Sequence, residues 1–258
     1  MALANFPIKS FFSIDNDHQF LNIYQMTQKK KWPHLIKLII FDNDGTILDT
    51  EGIYSWANEQ MVGHELDATI NAQLVGKNAH DTCKAIVEYY NINTNLDNFI
   101  RRRTKLLENC WNSTVMMPGA KKLITKFYDK GIPMAIATSS RANNFKKKIQ
   151  AHMDVYNMIG SYVCGNEVIN GKPAPDIYLK ACEKYPEVDP REALVIEDSP
   201  YGIKAANEAG MASILVTNNT RNYQETLKNL GAVPTYTMSS LEMFSFDLFT
   251  WDVDNLNI

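Results

Sequence analysis

The sequence lacks a dominant charge. Its 26 Lys and Arg residues stand against 29 Asp and Glu, a formal net charge of −3 over 258 residues. Broad binding of nucleic acid needs a basic face, and this balance argues against one. Long hydrophobic runs are missing too. The apolar stretch Leu38-Ile39-Ile40-Phe41 is far short of the ~20 residues that span a bilayer, so a membrane-spanning protein is not expected. Cysteine is sparse. Cys83, Cys110, Cys164 and Cys182 form no CxxC pair and no zinc-ligand spacing, so they read as buried free thiols of a reducing compartment. The first 33 residues have no basic start followed by an apolar run and carry Asp15 and Asp17, so neither a secretory nor a mitochondrial signal is expected. The expected location is the cytoplasm, where the Asn-x-Ser/Thr matches at Asn112 and Asn218 carry no meaning. At 45% hydrophobic and 21% charged residues, the composition is that of a globular chain long enough to build a sizeable core.

Residues 1–33 show no sustained period, end in Lys29-Lys30-Lys31, and read as an extension. Leu35–Phe41 is short, apolar and rich in β-formers, which predicts a buried strand. From Glu51 to Trp111 apolar residues recur at helical spacing, predicting three or four helices and no strand. Arg101-Arg102-Arg103 on the last of these reads as a solvated face, with steering of an anionic substrate as the sharper alternative. Pro118-Gly119 restarts the chain. Helices are predicted over 120–130, 143–152, 174–184 and 201–208, alternating with strands over 134–138, 162–164, 193–197 and 212–216. Alternation of that kind means βαβ units, a parallel sheet and helices on both faces. The expected organisation is an α/β core over 34–50 and 118–258, with the helical stretch 51–117 inserted after the first strand. Phe244, Phe246, Phe249 and Trp251 near the end pack on this core or mark an interface.

Ligands of an open parallel sheet bind at the carboxyl ends of its strands. Those ends carry Asp42-Asn43-Asp44-Gly45-Thr46, Thr138-Ser139-Ser140 and Glu197-Asp198-Ser199, with Gly171-Lys172-Pro173 in a loop nearby. Along a strand, Asp42 and Asp44 share a side and Asn43 points away. Carboxylates at Asp42, Asp44 and Asp198 repel unless a cation lies between them, and hard oxygens without His or Cys select Mg²⁺. Thr138, Ser139 and the following amides offer donors to a phosphate, and Lys172 a point charge. In this set Asp42 is best placed as nucleophile, forming an aspartyl-phosphate. Asp44 can protonate the leaving oxygen and later deprotonate the attacking water. Gly45 lets the chain turn under the substrate. Each piece alone has a plain structural reading, such as a helix cap or a surface DxD. All four in this order at strand ends do not.

The sequence resembles the haloacid dehalogenase superfamily of phosphohydrolases. Its DxDGT motif matches Asp42–Thr46, its strand-end Ser/Thr matches Thr138, its Lys matches Lys172 in GKPAPD, and its acidic pair matches Glu197-Asp198. The match covers roughly residues 35–217 and implies a Rossmann-like core with an inserted α-helical cap over 51–117. FDNDGTILDTEGIYS, LVGKNAHDT, MMPGAKKLI, GIPMAIATSSR and NGKPAPDIYLKAC are more particularly similar to the pseudouridine-5′-phosphatase branch. That resemblance implies a phosphatase acting on a small phosphomonoester, a nucleoside 5′-monophosphate such as pseudouridine 5′-phosphate. It implies Mg²⁺ held by Asp42, the Asp44 main chain and Asp198, with Glu197 behind them. Glu51, Tyr54 and Lys77 are the residues of the cap that would meet substrate. A phosphosugar mutase and a catalytically silent relative are the competing readings. Asn43 departs from the family's apolar residue at that position and predicts a packing cost.

Overall fold

The structure, a computed structural model, describes residues 32–74, 79–217 and 223–252. In chain order the elements are β1 (Leu35–Ile36), β2 (Leu38–Phe41), β3 (Leu48–Asp49), α1 (Glu51–Val62), α2 (Ala68–Leu74), α3 (Ala79–Tyr89), α4 (Leu96–Glu108), β4 (Val115–Met116), α5 (Ala120–Asp129), β5 (Met134–Thr138), α6 (Ala142–Ile149), α7 (Met153–Tyr156), β6 (Ser161–Cys164), α8 (Asp176–Cys182), β7 (Ala193–Glu197), α9 (Pro200–Glu208), β8 (Ala212–Val216), α10 (Gln224–Leu230), β9 (Tyr236–Met238) and β10 (Thr250–Trp251).

Six strands form a parallel sheet in the order β6-β5-β2-β7-β8-β9. The central strands β5, β2, β7 and β8 are buried at every position and mostly apolar, because both faces are covered. Alternation divides their side chains between two cores. Ile39, Phe41, Ile136 and Ile196 pack with Leu123, Phe127 and Phe145 of α5 and α6. Leu38, Ile40, Ala137 and Val195 pack with Ile177 and Tyr178 of α8 and Ala205 and Ala206 of α9. From β2 the strand order runs one way to β5 and the other way to β7, so the crevice of the sheet opens at the carboxyl end of β2.

Several expectations are corrected. The predicted strand 35–41 divides at Lys37, whose amide donates to Glu192 O at 2.8 Å and whose ammonium pairs with Glu192 at 3.0 Å. Only β2 enters the main sheet; β1 pairs with β10 instead. Over 51–111 the described residues hold the expected helices, α1–α4, and no strand; just beyond them β4 pairs antiparallel with β3 and closes the stretch. The helix predicted over 143–152 ends at Ile149 and a turn leads into α7. β9 and α10 follow β8 where no element was expected, since their apolar runs are too short to show a period. The arginine run is not one solvated face. Arg101 and Arg102 are exposed, but Arg103 is buried and its Nε donates to Asn58 Oδ1 at 2.6 Å. The terminal aromatics join the core: Phe249 and Trp251 are buried beside Phe127. No helix among the described residues is long and apolar enough to cross a membrane.

Candidate active site

β2 ends at Phe41, so Asp42, Asn43 and Asp44 leave the strand as a turn rather than continue its alternation. The Asp42 amide donates to Ile196 O at 2.9 Å, which keeps this residue in register between β2 and β7. The amides of Ile47 and Leu48 both donate to Asn43 O and close the turn. Gly45 sits at φ +86°, a conformation that suits glycine, and a Cβ there would overlap the Asp198 carboxylate. The DxDGT turn and the end of β7 are therefore packed directly together.

Asp42 is 6% exposed, and its Oδ1 accepts from Lys172 Nζ at 2.6 Å. The same ammonium donates to Glu197 Oε1 at 2.7 Å and Ala137 O at 3.2 Å. Glu197 also accepts from Tyr178 OH at 3.0 Å and, through Oε2, from the Ser199 amide at 2.7 Å. Ser199 Oγ in turn caps α9. Burial, with Glu197 and Asp44 nearby, pushes Asp42 up to about 7 against the pull of Lys172. Burial opposes the Lys172 charge, but Asp42 and Glu197 outweigh it and raise this ammonium well above its ordinary value.

Asp44 belongs to a second charged group. Its Oδ2 accepts from Ser140 Oγ at 2.9 Å and Thr138 Oγ1 at 3.3 Å, and its Oδ1 accepts from Lys148 Nζ. Burial pushes Asp44 up, but Lys148 and the hydroxyl donors outweigh it and hold this carboxyl below the usual range. Thr138 is wholly buried at the end of β5, while Ser139 is exposed on the loop that follows. Asp198 accepts from Thr46 Oγ1 at 3.5 Å. Glu51 is exposed in the first turn of α1, and Lys77 lies outside the described residues.

Sequence reasoning missed Lys148. It stands in Lys146-Lys147-Lys148, which looks like a solvated run, yet it is fully buried. The available signal is helical period: Lys148 lies three residues after the buried Phe145 and beside the buried Ile149, on the inner face of α6. At Asn43 the expected packing cost has a visible source. This residue is wholly buried, accepts from Tyr156 OH at 2.5 Å, and leaves its Nδ2 without a partner among the described residues.

The donor set suits a hard divalent cation. Four carboxylates, Asp42, Asp44, Glu197 and Asp198, gather with two lysines and leave an excess of negative charge made only of oxygens. Among the described residues no three acidic, His or Cys side chains form a metal cage by themselves. Mg²⁺ rarely needs one, since it completes its shell with main-chain, water and phosphate oxygens.

Residues 39–216 match the haloacid dehalogenase-like hydrolase family, and the chain belongs to that family. Its relatives by sequence include phosphatases. It is 35% identical over 190 residues to (DL)-glycerol-3-phosphatase 1, mitochondrial, of Arabidopsis thaliana, covering 70% of this chain and 64% of that one. It is 31% identical over 218 residues to a probable pseudouridine-5′-phosphatase of Drosophila melanogaster, covering 82% of this chain and 94% of that one. Among solved structures it is similar to a putative β-phosphoglucomutase from Thermotoga maritima, with a TM-score of 0.65, 27% identity and coverage of 80% and 95%.

Proposed function

We propose that the chain is a Mg²⁺-dependent phosphomonoester phosphatase acting through an aspartyl-phosphate on Asp42. The observation that carries this reading is the buried Asp42 at the sheet crevice, held at 2.6 Å by a lysine that Glu197 fixes in place. An Asp42 oxygen attacks phosphorus, the bond to the leaving oxygen breaks, and Asp44, which must carry a proton at this step, passes it to that oxygen. Water then attacks phosphorus, Asp44 accepts its proton, and the Asp42–phosphorus bond breaks to release inorganic phosphate. Lys172, with Thr138 and Ser139, receives the phosphate oxygens. Asp42, Asp198 and the Asp44 carbonyl would hold Mg²⁺, which supplies positive charge against the phosphoryl oxygens when bound. Glu197 positions Lys172.

The organisation that supports this chemistry is a core over 34–50 and 118–258, a cap over 51–117, and an extension over 1–33. Glu51 and Lys77 of the cap would contact the leaving group. The similarity to a probable pseudouridine-5′-phosphatase favours a nucleoside 5′-monophosphate such as pseudouridine 5′-phosphate as substrate. A cytoplasmic setting agrees with four cysteines that are buried and free.

The test is phosphate release with Mg²⁺ across pseudouridine 5′-phosphate, other nucleoside monophosphates, sugar phosphates and glycerol 3-phosphate. One strongly preferred nucleotide is expected. Asp42→Asn should lower turnover at least about 1,000-fold in a folded protein. Chelation should remove activity and Mg²⁺ restore it, with Ca²⁺ a poor substitute. Full turnover by Asp42→Asn would end the reading, and an isomer in place of phosphate would make the chain a mutase.

A further inference from the structure

Lys148 is 0% exposed, and its ammonium meets three oxygens that come from three parts of the chain. It donates to Asp44 of the DxDGT turn, to Ser140 Oγ of the loop after β5 at 2.7 Å, and to Tyr54 OH of α1 at 2.7 Å. Its charge also lies 5.1 Å from the centroid of the Tyr54 ring and 4.7 Å from that of Trp111. The backbone is fixed at the same residue, because Thr114 Oγ1 donates to Lys148 O at 3.0 Å. Burying an ammonium is costly, and the cost is met only where every donor finds an acceptor. A lysine kept here solely for packing gains nothing over leucine. What the charge adds is a hold on one Asp44 oxygen while Ser140 and Thr138 hold the other. Tyr54 extends the hold outward. Its ring stacks edgewise on Trp111 at 5.6 Å and lies 5.4 Å from the Arg103 guanidinium carbon, so α4 bears on the ring whose hydroxyl meets Lys148.

We propose that Lys148 is a positioning residue for Asp44, aiming its carboxylate for both proton transfers and tying that aim to the seat of α1 through Tyr54. This rests on the aspartyl-phosphate reading above, in which Asp44 serves as acid and base. Lys148 touches no substrate atom in this scheme and acts only through Asp44.

The experiment compares Lys148→Met, Tyr54→Phe and Asp44→Asn with the unaltered chain in rapid-mixing kinetics on p-nitrophenyl phosphate and on the preferred alkyl phosphate, with Mg²⁺ present. The p-nitrophenolate group leaves without a proton, so its first equivalent reports attack by Asp42 alone. Lys148→Met should keep a fast burst of about one equivalent of p-nitrophenolate, while its steady rate falls about 100-fold, the scale of general acid–base catalysis. On the alkyl phosphate no burst should appear, kcat should fall by at least as much, and KM should stay within about threefold. Tyr54→Phe should repeat the pattern at about tenfold. A structural defect would instead lower burst and steady rate together. That result, or unchanged rates in both variants, overturns the assignment. Should Lys148→Met fail to fold, Tyr54→Phe decides alone, since it removes one hydroxyl and keeps the ring. Asp44→Asn separates the two levels. If it shows the burst and Lys148→Met does not, only the Lys148 assignment falls. If Asp44→Asn lacks the burst, the acid–base role of Asp44 falls and the Lys148 assignment with it.

Discussion

Asn43 stands between two aspartates that need opposite surroundings, and it solves a local problem in an unusual way. Its amide side chain enters an apolar core beside β2, where Tyr156 OH donates to Oδ1 at 2.5 Å and Nδ2 finds no described partner. A buried polar group left without its bond costs more than the bond contributes when made. Tyr156→Phe should therefore destabilise the fold by about 1–3 kcal/mol in urea unfolding. Asn43→Leu added to it should recover most of that loss, because both halves of the pair are then apolar. A double variant no more stable than Tyr156→Phe would show that the pair is not the source of the cost. Gly202, beside Glu197, acts at the same scale. A Cβ there would overlap the Glu197 carboxylate, so α9 can approach the lysine-binding acid only with glycine at this position.

Among the elements, β7 carries Glu197 to the site, and a short turn at Pro190–Glu192 sets where β7 begins. Asp189 caps that turn. Its carboxylate accepts from the Arg191 amide at 2.9 Å and from the Arg191 guanidinium at 2.8 and 3.0 Å. The side-chain bonds of Arg191 lead in pulling Asp189 down to about 2. A carboxyl whose folded pKa lies below its unfolded value binds fewer protons when folded. Its contribution is thus present above about pH 4, the unfolded value, and is lost as the pH falls toward 2. Asp189→Ala should lower Tm at pH 7, and the difference from the unaltered chain should shrink steadily between pH 4 and pH 2. A pH-independent difference would assign the effect to packing instead. Since Arg191 and Asp189 are exposed, the ion pair itself adds little beyond the cap.

Over the whole molecule, the end of the described chain closes the face of the sheet that α5 covers. Phe127 of α5 meets Phe244, Phe246 and Trp251, and Trp251 Nε1 donates to Phe246 O at 2.7 Å. β10 then pairs with β1, which Lys37 has turned out of the main sheet. Trp251→Ala should cost about 3–5 kcal/mol in denaturant unfolding, the range for emptying a buried aromatic site. A cost below about 1 kcal/mol would place this segment outside the cooperative core. The alternative of an interface, open from the sequence, is not needed to account for aromatics that bury one another.

The alternation of apolar runs and helical periods was enough by itself to read the parallel sheet, its crevice, and the order of the DxDGT, Thr138, Lys172 and Glu197-Asp198 motifs. Those are local signals: strand ends and turn residues are written in neighbouring positions. Where the groups are shared out was decided only in the folded chain. Asp42 and Asp44 sit two residues apart, yet one falls to Lys172 and the other to Lys148. Lys148 lies 104 residues from Asp44 and Arg103 45 from Asn58, separations at which no sequence period speaks. A charge run looks alike whether water or a carboxylate meets each member. Only packing removes the water, and it singled out one lysine of three and one arginine of three.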